Sequence, residues 1–160
     1  MVASYRPDVR EVFAHCWADG TWLPGGICMP ARRGLLEHLN QKDPFVKQRH
    51  VALSDKKDPL PFLALRRDSI AIVVPEQESI PSLQGTTAQH RVVCLLKGAI
   101  LHGTLETLAN LRVSDYLMKG PGFFPLRDCT IRMSSMPSLP TPIPVVLVNG
   151  ERVIGVAEEP

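Results

Sequence analysis

The sequence predicts an all-β protein made of two tandem five-stranded small barrels, an internal duplication in which each copy carries a short helical turn after its second strand. Three observations carry this reading. The first is the repeat. At a constant separation of 78 residues, Cys16 falls on Cys94, Gly20 on Gly98, Gly25 on Gly103, Leu39 on Leu117, Phe45 on Phe123 and Arg49 on Arg127, with no gap between Cys16 and Leu53. Phe62 to Val74 (FLALRRDSIAIVV) then matches Val145 to Ala157 (VVLVNGERVIGVA) at a separation of 83, so five additional residues lie in a loop of the second copy. Self-similarity at a fixed period identifies a repeated supersecondary unit. The second observation is punctuation: 15 Pro and 11 Gly cut the chain into short apolar runs, as in strand-and-turn proteins. The third is turn chemistry. Asp19-Gly20 and Asn149-Gly150 stand between apolar runs, the strongest short-range hairpin signal.

Taken in order, Met1 to Pro7 reads as a short irregular arm. Val9, Val12, Phe13 and Cys16 have helical spacing, but the matching RVVCLLKGAI reads as strand, so both are assigned to strand. Second strands follow at Thr21 to Met29 and Ala99 to Leu108, with interior glycines at Gly25, Gly26 and Gly103 that suit a bulge or sharp bend. ARRGLLEHLN and ANLRVSDYLM supply the helical turn, with Ser114 as a cap for a turn beginning at Asp115 and with Leu39 and Leu117 directed inward. Third strands begin at Phe45 and Phe123, both read as core anchors. Each copy ends in a hairpin, turned by RRDS (Arg66 to Ser69) or by NGE (Asn149 to Glu151). The polar stretch Glu76 to Gln89 reads as a linker, giving a first unit over 1–78, a linker over 79–89 and a second unit over 90–160. Five short strands cannot safely leave a long edge exposed, and closure into a barrel is the expected solution.

Composition excludes some functions. Net charge is +2 and evenly split, with 11 Lys/Arg against 10 Asp/Glu through Glu78 and 7 against 6 after it. Neither half carries the concentrated basic footprint of phosphate-backbone binding. Cys16, Cys28, Cys94 and Cys129 form no CxxC pair, and the strand-like runs around three of them predict buried thiols. The N-terminus lacks the apolar core of a signal peptide and no run reaches 18 apolar residues. No membrane span and a reducing cytoplasm are expected.

Residues with chemical potential are scattered. Ser114, Asp115 and His102 are the residue types of a hydrolase triad, but no glycine-flanked serine elbow surrounds Ser114. The five histidines form no HxH or HExxH motif, and His15, Cys16 and Cys28 are the one grouping that a hairpin could bring together around a metal. No catalytic residue, metal site or cofactor is therefore assigned, and the chain is not expected to be an enzyme. Trp22 sits beside Pro24, Gly25 and Gly26 near a bend, and with Phe124 it is a large apolar anchor that would mark a partner-binding patch if exposed.

Within RVSDYLMKGPGFFPLRDCTI (Arg112 to Ile131), Arg112, the Ser114-Asp115 pair, the apolar pair after it and the Phe-containing strand resemble an uncharacterised bacterial domain family of unknown function. The first copy keeps a degraded form, RRGLLEHLNQKDPF, with Leu36 and Glu37 in place of Ser-Asp. The architecture is similar to Sm-like and SH3-like barrels, and fold alone carries no function. The resemblance implies no catalytic residue or ligand. The expected function is a non-catalytic protein–protein interaction module, a scaffold or accessory subunit of a larger bacterial complex, engaging a protein partner or itself through Trp22, Arg112, Asp115 and Phe124. The alternative is a nucleotide- or RNA-binding barrel using the loop arginines Arg32, Arg33, Arg66 and Arg67.

Overall fold

The computed structural model describes residues 8–160, so the arm expected over 1–7 lies outside the described residues. The described residues form ten strands: β1 (Val9–Ala18), β2 (Thr21–Pro30), β3 (Phe45–Val51), β4 (Leu60–Arg66), β5 (Ile70–Pro75), β6 (Thr87–Leu96), β7 (Ala99–Leu108), β8 (Phe123–Arg132), β9 (Ile143–Asn149) and β10 (Val153–Glu158). Two short helices, α1 (Leu35–Leu39) and α2 (Val113–Met118), follow β2 and β7. Residues 9–17 are strand: alternate side chains Val12, Ala14 and Cys16 are buried, a period of two that outweighs the helical spacing.

The pairings repeat with the sequence. In the first half the strand order is β5-β1-β2-β3-β4, and in the second it is β10-β6-β7-β8-β9. Cys16 lies opposite Val73 and Cys94 opposite Val156; Phe45 lies opposite Arg66 and Phe123 opposite Asn149. Even the irregularities recur. The ladder shifts between Ile70 and Ile72, and again between Val153 and Gly155. His50 (φ 54) and Asp128 (φ 48), 78 residues apart, both adopt the left-handed conformation. Asp19 (φ 47) and Gly20 (φ 83) make the expected two-residue turn with both residues at positive φ. At Gly25 a Cβ would stand 2.9 Å from Val51 Cγ2, and at its counterpart Gly103 one would stand 3.1 Å from Leu126 Cβ. These glycines are required for close crossing of neighbouring strands.

Three expectations are corrected. The ten strands form one open antiparallel sheet, not two separately closed barrels. The halves are joined by β5 and β9, with Ile72 opposite Val148 and Val73 opposite Leu147. Second, β4 and β5 are not a hairpin: β4 pairs with β3 and β5 with β1. A 3-10 turn at Arg67–Ser69, or at Gly150–Arg152, redirects the chain between them. Asn149 Oδ1 accepts the Glu151 N–H at 3.1 Å, so Asn-Gly here builds a side-chain turn. Third, α2 is capped at Arg112, and Ser114 lies inside the helix.

The core follows from the join. β5 and every residue of β9 except Pro144 are buried, because each strand has core on both faces. Ile70 and Val73 of β5 face a first cluster with Leu39, Val46 and Cys16, which Phe123, Val145 and Leu147 also enter from the second half. Ala71, Ile72 and Val74 face a second cluster with Leu101, Phe124 and Leu126, joined by Trp17 from the first half. Polar contacts bridge the halves as well. Asn40, after α1, donates to Phe123 O at 3.1 Å and accepts from Phe123 N at 2.7 Å, while Asn149 Nδ2 donates to Ile70 O at 2.9 Å.

The expected linker is pinned to the body. Glu78 takes both terminal nitrogens of Arg10, at 3.0 and 2.6 Å, and accepts the Leu35 N–H that opens α1. Ile80 is buried and its carbonyl accepts from Arg127, and β6 begins at Thr87. The Arg10 hydrogen bond, more than the opposing effect of burial, holds the Glu78 carboxyl below its ordinary range.

Two predictions follow from these contacts. Asn40→Ala removes both hydrogen bonds to Phe123 and is expected to cost about 1–3 kcal/mol, read as a lowered denaturation midpoint with an unchanged slope. Because the folded carboxyl of Glu78 is depressed, its stabilisation is present above the unfolded carboxylate pKa of about 4.3 and is lost as pH falls through the folded value. Glu78→Gln should therefore lower stability at neutral pH and lessen its fall in acid, measured by urea unfolding across that range.

Candidate interaction surfaces

A sheet strand offers backbone donors and acceptors on two sides, and one left without a neighbour is a template for pairing. Among the described residues, β4 and β10 are the two ends of the ten-stranded sheet. The chain blunts only part of β4. Pro61, with no N–H, stands near its start, while Phe62 to Arg66 follow without another proline. Phe62 is 55% exposed and Phe45, on the neighbouring β3, is 44% exposed. The Arg66 guanidinium lies over the Phe45 ring, 5.0 Å from its centroid, a cation–π contact that partly shields the aromatic from water.

At the other end β10 presents Ile154, which is 70% exposed. Its Val153, Gly155 and Val156 form one wall of a groove of about 300 Å³, faced by Leu117 and by the loop at Gly120 to Gly122. Met118, at the end of α2, is 86% exposed. Leu95 and Ile100, on strands β6 and β7, are also exposed. Apolar side chains thus gather at both ends of the sheet, where backbone pairing is also available.

A wider cleft of about 870 Å³ lies between the β1–β2 and β6–β7 turns, with Trp17, Trp22, Lys97, Met133, Ser135 and Arg152 in its walls. Trp22 is half-buried and its indole N–H lies 3.1 Å from Ser135 O and 3.2 Å from Met133 Sδ. This tryptophan ties the halves together rather than standing free.

The residues singled out from the sequence do not gather. Phe124 is corrected outright: only 1% exposed, it packs edge-on against Tyr116 inside the second cluster and is not available to a partner. Phe45, read as a core anchor, is the reverse case. Arg112 and Asp115 are exposed at the start of α2, and no ion pair joins them among the described residues. Of the loop arginines, Arg32 is exposed, Arg33 lies 3.2 Å from the His38 ring, Arg66 covers Phe45, and Arg67 donates to Leu39 O at 3.3 Å. Three of the four are engaged in intramolecular contacts. His102 is 2.5 Å from Glu159, while Ser114 and Asp115 lie on α2. Cys16 faces the core, and His15, its neighbour on the opposite face of β1, packs edge-on against Trp22.

The thiols are held in the unreactive form. Burial pushes Cys16 and Cys129 up to about 12 and Cys94 up to about 11. Cys28 is also raised, by partial burial and by Glu11. The thiolate is the nucleophile, so raised values argue against reactivity.

No family model, curated protein or solved structure matches the chain.

Of the surface residues, Phe62, Ile154, Met118, Leu95 and Ile100 were not singled out by sequence reasoning. The repeat aligns them with Val145, Ala71, Asn40, Trp17 and Trp22 of the other half and does not say which copy is covered. A thiol reagent applied to the native protein at pH 8 should label Cys28 first and leave Cys16, Cys94 and Cys129 protected until unfolding. Rapid native labelling of more than one thiol would contradict the burial described.

Proposed function

We propose that the chain is a non-catalytic interaction module, a scaffold or accessory subunit of a larger bacterial assembly, in which each half is one copy of a duplicated five-stranded unit. The observation that carries this reading is that β4 and β10, which end the sheet among the described residues, also carry exposed apolar side chains. Strand addition at a sheet edge obtains affinity from main-chain hydrogen bonds and specificity from alternate side chains. A protein that merely had to stay soluble would place lysine or proline along such edges. Here Pro61 guards only the start of β4, and Phe62 and Ile154 stand exposed on the two edge strands. The resemblance of Arg112 to Ile131 to a bacterial domain of unknown function is compatible with this role. So is a cytoplasmic location, since three of the four free cysteines are fully buried. Arg112 and Asp115 are exposed at the start of α2, the helix whose Leu117 lines the β10 groove, and we assign them to the same proposed surface.

The test is capture of partners under mild lysis by wild-type protein and by Phe62→Lys and Ile154→Lys variants, with quantitative mass spectrometry. Stoichiometric capture, self-capture included, that falls about tenfold or more in the variants is expected. Equal capture by all three proteins would dismiss the edges as the binding surface.

A further inference from the structure

The join between the halves uses the fifth strand of the first half and the fourth strand of the second, β5 with β9. The same two kinds of strand are left over at the ends of the sheet: β10, the fifth of the second half, and β4, the fourth of the first. This contact is therefore head-to-tail, and a head-to-tail contact leaves one unused copy of each of its surfaces. We propose that a second copy of this chain occupies the free edges, with its β4 pairing to β10 as β9 pairs to β5. The inference rests on the interaction-module reading and names its partner.

The register follows from the repeat. Ile72 opposite Val148 becomes Gly155 opposite Leu65 of the second copy, and Val73 opposite Leu147 becomes Val156 opposite Ala64. Pro61 corresponds to Pro144, which lies outside the pairs that β9 makes with β5, so it does not obstruct the pairing.

Side chains support the same occupant. In the intramolecular join, Phe123, Val145 and Leu147 enter the core of the opposite half. Their counterparts are Phe45, Phe62 and Ala64, all exposed. On the receiving side, Leu39, Ile70 and Val73 are fully buried under that contact. Their counterparts Leu117, Val153 and Val156 are only partly buried, and they line the groove along β10. Trp17, Trp22, Asn40 and Ala71 contact the other half, and their counterparts Leu95, Ile100, Met118 and Ile154 are exposed. Among the described residues, six of the eleven large exposed apolar side chains are thus images of residues that the internal join uses. Chance exposure would scatter them over the surface instead. Where Asn40 grips the backbone of Phe123, Met118 would lie against Phe45 of the second copy. Where Asn149 donates to Ile70 O, Arg66 of the second copy would swing from the Phe45 ring and donate to Val153 O. Ala64 and Gly155 are smaller than Leu147 and Ile72, so the intermolecular join buries less than its template and is the reversible one.

Sedimentation of the full chain over a range of concentrations, with designed cysteines, tests this. Wild type is expected to associate, as a closed dimer or as a longer head-to-tail chain. Phe62→Lys and Met118→Lys, both at exposed positions and so harmless to the fold, should each weaken association by about tenfold or more. In a Cys28→Ser background, Ala64→Cys with Val156→Cys should form an intermolecular disulfide on mild oxidation, and Ala64→Cys with Glu158→Cys should not. A wild type that stays monomeric at every concentration, or cross-linking that prefers 64 to 158, overturns the proposal. A monomer that still binds a different protein through Phe62 overturns self-pairing alone. A monomer whose Phe62→Lys variant also changes no capture removes the interaction reading as well.

Discussion

Everything in this structure depends on β5 and β9 lying side by side with core on both faces. Only Ile72 with Val148 and Val73 with Leu147 are in register there, so main-chain hydrogen bonding contributes little, at about 1 kcal/mol per bond. Burial contributes more. Fully covering a Val, Leu or Ile side chain stabilises by about 1.5–3 kcal/mol, and Ile70, Ile72, Val73, Leu147 and Val148 are all wholly buried. The join is an apolar contact that backbone pairing aligns. It also explains why Trp17 and Phe123 each belong to the core of the half they do not come from.

The same constraint generates the surface. Two similar units joined through unlike strands cannot satisfy both ends of the array. One fourth strand and one fifth strand stay at the margins, and their apolar side chains remain in water. Pro61 and the guanidinium of Arg66 over Phe45 limit the cost of this exposure without removing it. The polar contact of Asn40 with Phe123 across the join has no equivalent at the free edge, where the counterpart of Asn40 is the exposed Met118. The divergence between the halves is thus readable as a difference in neighbours.

The linker belongs to this picture as a fastening. Glu78 holds Arg10 and the start of α1 together, and Ile80 fills the first core before the chain enters β6. A polar composition led to the expectation of a free spacer. Three of its residues, Glu78, Ile80 and Leu83, are nonetheless held by specific contacts, the last through its N–H to Glu106.

The sequence alone determined the all-β class, the turns at Gly20 and Gly98, the short helices after the second strands and the buried thiols. Each is set by local chemistry: turn residues, alternation of apolar side chains, and glycines where strands cross closely. The repeat also placed equivalent residues in equivalent strands, because registers in the two halves depend on the same turns and bulges. Only the tertiary structure decided which copy of each strand is covered. Phe45 and Phe123 read alike in sequence, yet one ring is exposed and the other buried, because β9 and β8 have the first half for a neighbour while β3 and β4 face water. Phe62, Met118 and Ile154 were missed for this reason, whereas Phe124, like its counterpart Val46, is buried in the core of its own half. Burial is a property of what lies across from a side chain, and that neighbour comes from a part of the chain some 80 residues away.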